Sequence, residues 1–264
     1  MKTAYFVKGN RSLSKLTEPG FQKVFQSIFH NYTVVFDTSN NKSAFLTQFF
    51  QSDFAYLNVH NSPGTMNLTI ANGDRVSLEE IKGACQKIPV FQRPKLVIVV
   101  GCQTVNNPAG NLASAIGIEA TTSKRAFIGF SWNVFGAAAD AYFRMFLAHW
   151  MKPRPYGRQR TLTEARYDTE AFMNRQMKTQ EEIKALKPNI NIFDVPEVAE
   201  PGLLLEVNSY DFLPQVALWG SNLSPKRITR SIEAIFNAPM TPSDASIGDQ
   251  FTIIGDLALR ASDL

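Results

Sequence analysis

Cysteine and histidine are scarce in this chain. Its 264 residues hold two cysteines, Cys85 and Cys102, and three histidines, His30, His60 and His149. Two cysteines cannot build a disulfide framework, so a reducing, cytoplasmic setting is the expectation. No spacing among these side chains matches a metal site, and neither a metal nor any other cofactor is expected. Long apolar runs are also missing. None approaches the ~18 residues of a membrane span, and the opening MKTAYFVKGNRS has too short an apolar run for a signal peptide. A membrane partner is therefore not expected. Excess charge of one sign is small, 27 basic against 23 acidic residues, which is too little to point to nucleic acid. GNLASAIG lacks the Lys-Ser/Thr of a phosphate-binding loop, and GFSWN lacks the second glycine of a nucleophile elbow. Repeats and low-complexity linkers are absent from the sequence too, so the reading is one domain over 1–264.

What is present is an alternation of strand-like and helix-like segments. Ala4–Val7, Thr33–Phe36, Phe54–Val59, Lys95–Val100 and Ala126–Phe130 are short apolar runs. The helical stripe Phe21, Val24, Phe25, Ile28, opened by Pro19, lies between the first two. Phe45, Leu46, Phe49 and Phe50 mark a second helix. Asn67–Ala71 and Arg75–Ser77 flank Asn72-Gly73, the preferred pair of a two-residue hairpin turn. Ser77 and Glu80 form a capping box for the helix that follows. Further helices are expected from Pro108 and over about 135–151, and the charged stretch 161–186 is helical in pattern. Pro188–Pro201 reads as a loop, and Leu203–Val207, Val216–Trp219 and Phe251–Ile254 as runs that extend or flank a sheet. The unbroken β-branched run at Lys95–Val100 implies burial on both faces. Together these predict an α/β fold with a mostly parallel central sheet flanked by helices.

In such sheets chemistry gathers beyond the carboxyl ends of the strands. Those ends carry Asp37, His60, Cys102 and Ser131-Trp132. Cys102 stands where a buried run stops, after Gly101, and its loop is expected to run into the helix from Pro108, whose N-terminus would favour a thiolate. The plain alternative is a small packed hydrophobe. His60 is suited to moving protons near neutral pH, or to a simple strand-end hydrogen bond. Backbone N–H groups of Cys102, Asn61 and Gly64 are candidate oxyanion donors, since Pro63 has none to give. Ser131 and Trp132 are candidates for a substrate groove, with Trp132 equally readable as core. Asp37 either selects a basic substrate residue or caps the helix from Ser39. Cys85, beside Ala84 in a helix, reads as structural, as do His30 and His149. The basic loop Lys152–Arg160, without interleaved aromatics, reads as a solvated surface.

In order and spacing, these segments resemble the CHAT family of caspase-like cysteine peptidases. FAYLNVHNSPG carries His60, NLTIANGDRVSLEEI the hairpin and helix, and KLVIVVGCQT carries Cys102 with Thr104. AFIGFSWNVFGAAADAYFRMFLAHW carries Ile128-Gly129 and Trp132, and FTIIGDLALR is similar to the closing Gly-Asp-x-x-Leu-Arg strand. The likeness runs over about 54–150 and again at 251–260. Two positions depart from the family pattern: Asn61 stands for glycine and Gly101 for alanine. The resemblance implies a caspase/hemoglobinase-like sandwich. It also implies an endopeptidase in which Cys102 attacks the scissile carbonyl and His60 moves the protons. The substrate would be a protein or peptide, with the enzyme working within a larger regulatory assembly. Two rivals stand beside this expectation: a catalytically silent CHAT-like module that binds a partner, and a flavodoxin-like domain that binds a small phosphorylated ligand.

Overall fold

Alternate residues of an extended run face opposite ways, so an apolar run without polar breaks needs cover on both sides. The computed structural model describes residues 2–9, 19–37, 41–62, 64–70, 73–107, 109–131, 134, 136–151, 158–171 and 251–264, leaving aside the side chains of 19–21, 24, 136–138 and 141. In it the apolar runs become β1 (Thr3–Lys8), β2 (Thr33–Asp37), β3 (Phe54–Asn58), β7 (Leu96–Val100) and β8 (Ala126–Phe130). A further strand, β9 (Phe251–Gly255), joins them, and among the described residues the sheet has six strands in the order β2-β1-β3-β7-β8-β9. All neighbouring pairs are parallel except β8 with β9. The expected α/β architecture with a mostly parallel sheet is therefore present.

Side-chain alternation divides the core in two. Phe6, Tyr56, Ile98 and Ile128 face a layer that includes α1 (Pro19–Ile28) and α5 (Gly136–Met151). Val7, Leu57, Val99 and Phe127 face α2 (Lys42–Gln51), α3 (Leu78–Gln86) and the short α4 (Leu112–Ala115). All five residues of β3, of β7 and of β8 are buried. These are the strands in the middle of the sheet.

Between β3 and α3 the chain makes a separate small antiparallel sheet, β4 (His60–Asn61), β5 (Asn67–Thr69) and β6 (Arg75–Ser77). Ile70 donates its N–H to the Asp74 carbonyl, with Gly73 at φ +91°. The loop therefore holds three residues rather than the two expected, a common hairpin form with a left-handed glycine at its end. Ser77 caps α3 as expected: its hydroxyl accepts from Glu80 N–H at 3.2 Å, and the Glu80 carboxylate accepts from Ser77 N–H at 2.7 Å.

Two expectations fail. Asn41, not Asp37, caps α2, accepting from Ser43 N–H at 2.8 Å. The helix after Cys102 starts at Leu112, with Asn111 as its cap, and is 4 residues long. Gly110, at φ +134°, precedes that cap. Pro108 lies outside the described residues.

A helical segment over 162–171, α6, follows Thr161, which forms a capping box with Glu164. The rest of the expected helix to 186, the loop at 188–201 and the runs at 203–207 and 216–219 lie outside the described residues. So does 152–157 of the basic loop. Its end is not simply solvated: Arg160 is buried and pairs with Asp168 at 2.5 Å. Among the described residues no helix is long and apolar enough to cross a membrane.

Candidate active site

Parallel pairing fixes where β3 and β7 let go of the chain. Asn58 lies opposite Val100, the last residue of each strand, and Val59 N–H still bonds to the Val100 carbonyl at 3.1 Å. His60 and Cys102 each come two residues later, so both leave the same rim of the sheet on adjacent strands. A side-chain contact confirms the closeness of these segments. Asn61 Nδ2 donates to the Cys102 carbonyl at 2.7 Å, and lies 3.5 Å from that of Gln103. His60 is exposed and Cys102 half-buried, so neither is walled off behind the core.

The register of the small sheet determines what Asn61 offers. Ser62 N–H bonds to the Asn67 carbonyl, which makes that pair, and the pair two residues back, His60 with Thr69, the hydrogen-bonded ones. Asn61 opposite Leu68 is then a non-hydrogen-bonded pair. Its backbone N–H points off the edge of β4 that pairs with no strand among the described residues, as an oxyanion donor would need. Gly64 is placed differently, at φ +80° on the exposed tip of the turn. No described contact connects it to Cys102.

The Cys102 loop is held from its other side by β8. Registered pairing of β7 with β8 stops at Ile98–Ile128, although both strands run two residues further. Thr104 and Val105 take over. Phe130 N–H donates to Thr104 Oγ1 at 2.9 Å, and Val105 N–H donates to the Phe130 carbonyl at 3.2 Å. A Cβ on Gly129 would sit 2.6 Å from Thr104 Oγ1, so glycine is required for this approach. The spacing Cys-x-Thr and the Ile-Gly pair are thus two halves of one contact. Between these anchors Gln103 adopts φ +53°, a strained angle for a residue with a side chain.

Ser131 follows β8, half-buried at the same rim. Trp132 lies outside the described residues. Asp37 ends β2, an edge strand separated from β7 by β1 and β3. At about 4.8 Å per strand that is roughly 14 Å from the cysteine's strand. Its carboxylate accepts from the Tyr5 hydroxyl, and burial first, then this bond, pushes the Tyr5 pKa up. Asp37 thus shares the carboxyl rim of the sheet with His60 and Cys102, three strands along from the cysteine. The helix-terminus argument for the thiolate loses its footing, since α4 begins well after Cys102 and is too short for much of a dipole.

Sequence reasoning missed a buried polar group just beneath this rim. Asp140 of α5 is fully buried, and its Oδ1 accepts from Tyr56 Oη and from Asn58 Nδ2, both at 2.6 Å. Asn58 ends the strand that leads to His60. The signal was there: Asp140 is the lone acid in GAAADAYFRMFLAHWM, with buried Arg144 one turn on. Among the described residues no three His, Cys, Asp or Glu side chains gather as metal ligands would. No family model matches the chain, and no curated protein matches it significantly.

Proposed function

We propose that the protein is a CHAT-like cysteine endopeptidase of caspase-like fold, with Cys102 as nucleophile and His60 as acid and base. The observation that carries this reading is the Asn61–Cys102 hydrogen bond, which ties the residue beside the histidine to the cysteine itself. The half-buried thiol, the exposed imidazole and the edge N–H of Asn61 are the parts an acyl transfer needs.

The steps balance without a cofactor. The Cys102 thiolate attacks the scissile carbonyl carbon, a C–S bond forms, and the carbonyl π pair moves to oxygen. Collapse of that oxyanion breaks the C–N bond, and the His60 imidazolium gives its proton to the leaving amine. Water then attacks the acyl-enzyme while His60 takes its proton. The C–S bond breaks, releasing the acid and restoring the thiolate.

Peptide acyloxymethyl ketones with varied side chains before the warhead test the reading. Mass spectrometry should find one adduct, on Cys102, and His60→Ala should slow its formation about 10²–10⁴-fold. Labelling no faster than a free thiol, or indifferent to His60, would leave the silent partner-binding module as the better account.

A further inference from the structure

The Asn61 side chain does more than mark proximity. It is 5% exposed, and its Nδ2 grips the carbonyl of the residue proposed as nucleophile. In a trans peptide the carbonyl and the following N–H point opposite ways, and the described residues contain no cis bond. Drawing the Cys102 carbonyl toward a buried amide therefore turns the Gln103 N–H away from that amide. The positive φ of Gln103 is the backbone angle that accompanies this orientation. Among the described residues neither the Cys102 nor the Gln103 N–H has a backbone or side-chain acceptor. Packing supports the same arrangement: at Gly101, an added Cβ would lie 3.2 Å from the Val59 carbonyl and 3.5 Å from Asn61 Cβ. The segments of His60 and Cys102 thus touch directly.

We propose that Asn61 is a positioning residue, whose carboxamide holds the Cys102–Gln103 peptide so that the Gln103 N–H is an oxyanion donor for acyl transfer at Cys102. The inference rests on the peptidase reading and deepens it. The N–H after a nucleophile is well placed for the task, because it is attached next to the attacking side chain. A glycine at position 61 could supply only its backbone N–H. Asparagine adds control over a second donor.

The test compares two reactions of one thiol in the full chain. Iodoacetamide alkylates sulfur with no developing oxyanion, whereas acetyl-dipeptide p-nitrophenyl esters acylate it through one. Asn61→Ala and Asn61→Leu are measured alongside wild type, with thermal melts to confirm folding. The leucine variant keeps the bulk and loses the donor without adding a charge beside the sulfur. In both variants kcat on the esters should fall about 10–100-fold with KM within about twofold, somewhat less than outright loss of a donor. The iodoacetamide rate should change less than about twofold. If the two rates fall together, or if neither falls, the assignment is overturned. A wild-type chain that is not acylated on Cys102 removes the peptidase reading and this one with it. Wild-type acylation with unaffected variants removes only this one.

Discussion

Thr104 offers the sharpest test of how the Cys102 loop is held. Replacing it with valine keeps the shape and deletes the acceptor of a 2.9 Å bond from Phe130 N–H. Thr104 is fully buried and Phe130 nearly so, so water cannot reach the orphaned donor cheaply. Leaving such a donor unpaired costs about 1–3 kcal/mol. Thr104→Ser is the control. It keeps the hydroxyl and loses one buried methyl, worth about 0.8 kcal/mol, from a group 3.1 Å from where a Gly101 Cβ would sit. The two variants overlap in total stability, so the deciding measurement is local. Native-state amide exchange read by NMR should show Phe130 protection falling roughly 5–30-fold in Thr104→Val, the factor for a loss of one or two kcal/mol. Protection should be retained in Thr104→Ser relative to its own global stability. Equal loss in both variants, or none in valine, would refute the claim that the hydroxyl takes over where β7–β8 pairing stops.

Other outcomes follow from the same geometry. Gly129→Ala places a Cβ 2.5 Å from Phe127 Cε1 and 2.6 Å from Thr104 Oγ1; a destabilisation of about 1–3 kcal/mol by urea unfolding is expected, and an unchanged midpoint would show that the contact yields freely. Glu80 has its carboxyl pKa lowered, chiefly by the Ser77 N–H bond. The stability it adds is present above the unfolded glutamate pKa and lost as pH falls through the lower folded value. The gap between wild type and Glu80→Gln in urea titrations should therefore hold at neutral pH and close in acid; a constant gap contradicts it. Cys85 is buried, which raises its thiol pKa, while Cys102 is half-buried. Iodoacetamide should modify Cys102 at least about tenfold faster in the native protein, as peptide mapping would show, and the reverse order would place Cys102 in a sealed core.

Much of the framework was legible because its signals are local. β7 reads directly from the run LVIVV, and the α3 start from Ser77 and Glu80, three residues apart. The shared rim of His60 and Cys102 needed only one further idea, that parallel strands end on the same side. What stayed hidden depends on pairs far apart in sequence. Asn61 bonding to Cys102 spans 41 positions and Tyr56 bonding to Asp140 spans 84, and no periodicity encodes either. The misplaced helix start has a local cause. Pro108 is a good opener in isolation, but the chain instead enters α4 through Gly110 and the Asn111 cap. Asp37 marks the limit of the shared-rim idea: a strand end says which rim a residue occupies, not how many strands separate it from other groups on that rim.

β9 has a consequence for biosynthesis. It lines up along the whole of β8, from Ala126 opposite Gly255 to Phe130 opposite Phe251, yet the ribosome makes it more than a hundred residues later. Until then that flank of β8 lacks the partner it has in the fold, and an uncovered strand edge invites pairing with other chains. The thiol-bearing loop leans on that same strand through Thr104 and Val105. A nascent chain would thus hold the Cys102 loop on an unfinished support until β9 has been translated.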